Sequence, residues 1–117
     1  MKVPVNKYVE KPWGSETWVA VSDQYALKII RLNKGSRTSL QYHNQKVEHI
    51  YLWEGELSVE EDNAEGQLIT THYCAGEVMH SPVKARHRLT ALSDAVFVEV
   101  STPHLDDVER VEDDYNR

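Results

Sequence analysis

Four side chains in this sequence have the types and spacing to hold a divalent metal. Gln41, His43 and Glu48 lie in GSRTSLQYHNQKVEHIYLWEG (35–55), and His87 ends GEVMHSPVKARH (76–87). Two imidazoles, a carboxylate and an amide oxygen suit zinc or another first-row divalent ion (Mn, Fe, Co or Ni), with positions left for water or substrate. A carboxylate beside imidazoles in an apolar surround is costly unless neutralised, and a divalent cation neutralises it directly. The same residues could form a hydrogen-bonded polar cluster without metal, and spacing alone leaves both readings open.

To bring these residues together the chain must supply strands. Most segments alternate or run apolar over five to eight residues between Gly, Pro, Asn or Asp, a β pattern with no helical period before the tail. The pattern predicts strands at 2–9 (an edge, given Pro4 and Pro12), 16–21, 24–32, 38–43, 47–54, 56–60, 68–73, 77–80, 86–92 and 95–101. The near-continuous apolar run 24–32 is expected to be buried on both faces, with Lys28 either snorkelling or entering a polar pocket. About ten short, evenly spaced strands indicate an all-β barrel or sandwich.

Because alternate residues share a face, Arg37, Ser39, Gln41 and His43 project together. Glu48, Ile50 and Leu52 form an inner set; His49, Tyr51 and Trp53 form an outer aromatic face suited to a homodimer contact. Around His87 the same rule turns Leu89 and Ala91 inward and Arg86 and Arg88 outward, so that Arg88 is expected in an exterior ion pair. His72, His80 and His104 read as ordinary surface positions, and Trp13 as a pin for the N-terminal segment.

At 117 residues the chain reads as one domain, 1–117. Its lone cysteine, Cys74, rules out an internal disulfide, which suggests a reducing cytoplasm, and it is expected to be a small buried thiol. No segment is long and apolar enough to span a membrane. The net charge is -6, and the stretch His104–Arg117, with six acids and two arginines, carries -4 of it. With no Lys/Arg cluster to follow a phosphate backbone, neither nucleic acid nor membrane is an expected partner.

The spacing Gly35-x5-Gln41-x-His43-x4-Glu48-x6-Gly55 resembles the first cupin motif, with Gln in place of its first His. Gly76-x5-Pro82-x-Lys84-x2-His87 resembles the second, with Lys84 where a glycine is usual and Ala91 where an asparagine is. More narrowly, Lys11-Pro12-Trp13-Gly14-Ser15, Arg37-x-Ser39-Leu40-Gln41-x-His43, Glu48-His49, His87-Arg88 and the ending from Asp106 to Arg117 are similar to the C-terminal cupin domain of type II phosphomannose isomerases. The resemblance implies a double-stranded β-helix (jelly-roll) barrel with Gln41, His43, Glu48 and His87 on zinc. It also implies a tail strapped over the barrel, and a small-molecule sugar or sugar phosphate as ligand.

Aldose–ketose isomerisation needs polarised oxygens, a base for the carbon-bound proton and a means to hold the enediol. Lys46 is the expected catalytic or substrate-contacting residue, and as a base its pKa would have to fall toward neutrality. Arg37, Ser39 and Lys28 are the expected substrate contacts, the two cations as anchors for an anionic group. A non-catalytic carbohydrate-binding or regulatory cupin is the main alternative. An iron cupin oxygenase is disfavoured by Gln41, and a metal-free epimerase by the lack of a His-Asp dyad. No Gly-rich stretch matches the guanylyltransferase half that often accompanies this domain.

Overall fold

The computed structural model describes residues 1–117, and every regular element in it is a strand. They are β1 (Lys7–Lys11), β2 (Gly14–Val21), β3 (Ala26–Leu32), β4 (Leu40–Tyr42), β5 (Glu48–Glu54) and β6 (Glu56–Asp62). β7 (Leu68–Cys74), β8 (Val78–Ser81), β9 (His87–Ala91), β10 (Ala95–Ser101) and β11 (Glu109–Glu112) follow. They form two antiparallel sheets, of order β1-β2-β3-β10-β5-β8 and β11-β4-β9-β6-β7. No helix is long and apolar enough to cross a membrane.

Alternation decides what each strand buries. In β3, Ala26, Lys28, Ile30 and Leu32 point inward while Arg31 is exposed, so this strand is not covered on both faces as its composition suggested. Its apolar outer residues belong instead to the outward face of the six-stranded sheet. Ile50 and Leu52 of β5, Leu57 and Val59 of β6, Leu89 and Ala91 of β9 and Phe97 of β10 fill the space between the sheets, with Trp13 closing one side. Each such aliphatic or aromatic side chain contributes about 1.5–3 kcal/mol when fully buried. Ala95, Phe97, Glu99 and Ser101 share the inner face of β10, which takes two polar groups into the barrel at one end.

Residues 2–6 lie outside the strands, and the N-terminal edge strand begins only at Lys7. Gly14, in the tight turn between β1 and β2, cannot be replaced without moving the backbone, because a Cβ there would sit 2.0 Å from the Arg31 carbonyl oxygen. The tail is more ordered than its acidity suggested. Residues 109–112 add β11 to the edge of the second sheet against β4, and the Tyr115 hydroxyl donates to the Arg37 carbonyl at 3.0 Å.

That tail also revises the place of Arg88. Its side chain leaves the outer face of β9 as parity requires, yet it is 2% exposed. Its guanidinium donates to the Thr38 and Glu112 carbonyls, both at 3.1 Å, and pairs with the Glu112 carboxylate at 3.2 Å. Cys74 is exposed rather than buried, since it lies on the outer side of β7, the edge strand.

Candidate metal centre

One end of the barrel gathers the polar residues that the strands turn inward. His43 follows directly on β4, Glu48 opens β5, His87 opens β9 and Glu99 lies late in β10, and all four are buried. Strand register builds the cluster: Gln41 pairs with His87, and Glu48 sits between Ser81 and Ser101. His43, Glu48 and His87 each offer a ligand atom within 4.8 Å of the others.

Hydrogen bonding fixes which atoms face each other. His43 Nδ1 is 2.6 Å from the Asp107 carbonyl oxygen, and His87 Nδ1 is 3.2 Å from both the Ala85 carbonyl oxygen and Ser81 Oγ. A carbonyl only accepts, so each Nδ1 carries the proton and each Nε2 presents a lone pair. Those Nε2 atoms stand 3.5 and 3.3 Å from Glu48 Oε1, and neither makes a hydrogen bond. Three acceptor groups thus converge. Such an arrangement is costly unless a cation neutralises it, and the donor set of two imidazoles and a carboxylate fits a first-row divalent metal.

Gln41 is half-buried and lines the same space, with its amide oxygen accepting from Ser39 Oγ at 2.9 Å. That bond orients the amide beside the cluster, though it occupies one of the oxygen's lone pairs. At Lys84 the second motif departs from glycine without losing the glycine backbone. Its φ is +68°, its N–H donates to the His43 carbonyl at 2.7 Å, and its ammonium reaches Asn44 Oδ1 at 2.6 Å.

Lys46 is buried, 3.1 Å from Glu48 Oε2 and 3.5 Å from Glu99 Oε2. The Glu48 contact is a close ion pair rather than an aligned hydrogen bond, since Oε2 has no hydrogen-bond partner. Burial opposes the lysine charge, but Glu99 and Glu48 outweigh it and hold the ammonium above its ordinary value. Burial would raise Glu48 as well, yet it lies well below the usual carboxylate range, with the Lys46 ammonium beside it favouring the charged form. Glu99 takes the opposite course: burial and the Glu48 charge push it up to about 8.

Two adjoining clefts open onto this cluster. An inner one, with an empty volume of about 520 Å3, is lined by Trp13, Ser39, Gln41, Glu48, His87 and Glu99 among others. An outer one of about 930 Å3 adds Lys28, His43 and Lys46. Lys28 lies 3.6 Å from Glu16 and over the Trp18 ring at 4.2 Å from its centroid, so it enters the pocket already paired. Arg37 lines neither cleft. Asp114 holds it at 2.7 and 2.9 Å, away from both clefts.

Sequence reasoning missed Glu99 and Asp107. An acid inside the apolar run AVFVEVS was the signal for the first. For the second there was none beyond an acidic tail, because only the fold brings Asp107 to the 44–46 loop. Its carboxylate accepts from the N–H groups of Asn44, Gln45 and Lys46 at 3.0, 2.6 and 2.9 Å, which lower it to about 2.

The fold is that of the cupins. The chain aligns with KdgF from Halomonas sp. at a TM-score of 0.75 and 16% identity, covering 86% of this chain and 91% of that one. It aligns with oxalate decarboxylase from Bacillus subtilis at a TM-score of 0.76 and 20% identity, covering 95% of this chain and 33% of that one. Residues 2–113 match the model of the mannose-6-phosphate isomerase C-terminal family, and the chain belongs to that family. It is 31% identical over 114 residues to the alginate biosynthesis protein AlgA of Pseudomonas aeruginosa, covering 93% of this chain and 23% of the relative. The corresponding protein of Pseudomonas putida is 30% identical over 114 residues. The chain thus spans less than a quarter of these curated relatives.

Proposed function

We propose that the protein is a metal-dependent isomerase of a sugar or sugar phosphate, of the mannose 6-phosphate/fructose 6-phosphate type. The observation that carries this reading is the convergence of the two unpaired, buried Nε2 atoms of His43 and His87 on Glu48 Oε1, where the two clefts meet. Membership of the mannose-6-phosphate isomerase C-terminal family supports the substrate class.

His43, Glu48 and His87 would hold the cation, most simply zinc, with Gln41 beside them. When bound, it supplies polarisation of the neighbouring carbonyl and hydroxyl oxygens of the sugar. The chain's own groups do the rest. The Asp107 and Ala85 carbonyls keep both imidazoles in the tautomer that points a lone pair inward. Lys46 and Glu99, beside the ligands and in the wall of the outer cleft, are the groups placed to hold or move a proton. Ser39 keeps the Gln41 amide in place, and Lys28, paired with Glu16, lines the outer cleft. A homodimer built through the outer face of β5 fits the exposure of Tyr51 and Trp53 at 38% and 60%.

The test is NMR of mannose 6-phosphate incubated with zinc-reconstituted protein, with Glu48→Gln as control. Conversion to fructose 6-phosphate that disappears in the variant is the expected result. Metal binding without conversion would replace catalysis by a carbohydrate-binding role.

A further inference from the structure

The cations expected to anchor an anionic group, Arg37 and Lys28, are taken by Asp114 and Glu16. Two others are free. Lys11 ends β1 and Arg110 lies in β11, each lines both the inner and the outer cleft, and neither enters an ion pair. Register places the arginine. Arg110 pairs with Gln41, and Gln41 pairs with His87, so the three form one row across the second sheet. Directly paired residues share a face, and adjacent strands lie about 4.8 Å apart, so Arg110 rises on the site side at about 10 Å across the sheet from His87. Lys11 approaches from the opposite sheet.

The remaining charges around the clefts are accounted for. Glu16 and Glu99 face Lys28 and Lys46, Arg117 is bound to Asp113, and the one uncommitted carboxylate, Asp106, lines only the outer cleft. Trp13 adds a third feature: its indole N–H is buried with no acceptor, on a side chain that lines the inner cleft. Lysine, arginine and indole are donors only. Such a set suits a group made wholly of acceptor oxygens and gives little to a neutral hydroxyl.

We propose that Lys11 and Arg110, with the Trp13 indole N–H, form an anion subsite. It takes the phosphate monoester or carboxylate of a sugar whose other end lies at His43, Glu48 and His87. This assignment rests on the sugar reading above and goes beyond it by naming where the charged end sits.

The experiment uses metal-loaded protein and four probes: inorganic phosphate, mannose, mannose 6-phosphate and mannuronate. Lys11→Gln and Arg110→Gln each weaken binding of the charged sugar about 10- to 100-fold, the usual range for loss of a charged hydrogen bond, and leave mannose unchanged. Arg31→Gln, on the outer face of β3, alters neither. Tighter binding of mannose 6-phosphate assigns the subsite to a phosphate, and tighter binding of mannuronate assigns it to a carboxylate. Inorganic phosphate separates this proposal from the isomerase reading. It shifts the Trp13 indole N–H resonance, identified with Trp13→Phe, in the wild type and not in the Lys11→Gln/Arg110→Gln double variant, even if no sugar binds. A resonance that does not move, or that moves equally in the double variant, overturns the subsite. Equal losses for mannose and mannose 6-phosphate overturn it too.

Discussion

Replacing Asp107 by asparagine tests whether the tail builds the metal centre or merely covers it. The carboxylate gathers three consecutive N–H groups from the loop between His43 and Glu48, and the residue's own carbonyl holds His43 Nδ1 at 2.6 Å. An amide keeps the shape, loses the charge and turns an NH2 toward one or more of those donors. Removing a charged acceptor of this kind costs about 1–2 kcal/mol when it is partly exposed, much as losing a helix N-cap does. Loosening the partner that orients a ligating imidazole typically costs about 10- to 100-fold in metal affinity. Urea unfolding of metal-free protein reads the first quantity, and zinc competition against a chromophoric chelator reads the second. Asp94→Asn, which loses a single bond to the Lys34 N–H on another loop, is the control and leaves metal affinity unchanged. If Asp107→Asn lowers stability but binds zinc like the wild type, the clamp serves the loop alone and the reasoning fails.

Three other perturbations test the surrounding structure. Burial would raise the Asp113 carboxyl, but the Arg117 guanidinium and the N–H groups of Arg117 and Tyr115 outweigh it and hold it at about 2, against 3.8 ordinarily. Its folded pKa is depressed, so its contribution is present above pH 3.8 and lost as pH falls through about 2. Asp113→Asn is therefore less stable than wild type at pH 6, and the gap closes near pH 2; a constant gap in acid unfolding curves would contradict this. Arg88→Ala leaves the Thr38 and Glu112 carbonyls without their buried donor and opens a cavity, a loss of about 3 kcal/mol in urea unfolding. A loss under about 1 kcal/mol would mean that the tail is not docked there. For the outer face, sedimentation of the wild type at twice 13.5 kDa and of Trp53→Lys at 13.5 kDa is expected, and a wild-type monomer at high concentration refutes the dimer.

Alternation made the inner set of β5 and the barrel class readable, because a period of two needs no knowledge of the neighbouring strands. It placed Glu48 inward and His49 outward, and that is how they lie. Lys28 turned out to be an inward residue on the same rule, although the apolar run around it concealed the alternation. What parity cannot supply is what covers an outward residue. Arg88 points out of the barrel and is still buried, with its guanidinium held by the Thr38 carbonyl and by Glu112, some twenty residues later in the chain.

The sequence by itself determined the all-β class, most of the strands, the inner face of β5 and four candidate residues with metal-ligating chemistry, since local alternation and motif spacing encode these. The tertiary structure alone decided which charges are free. Arg37 and Arg110 are alike as letters, but one meets Asp114 and the other opens into the clefts. Asp107 secures the loop that carries His43 across more than sixty residues of chain. Pairing of charges is a property of distance in space, and only the closed fold sets that distance.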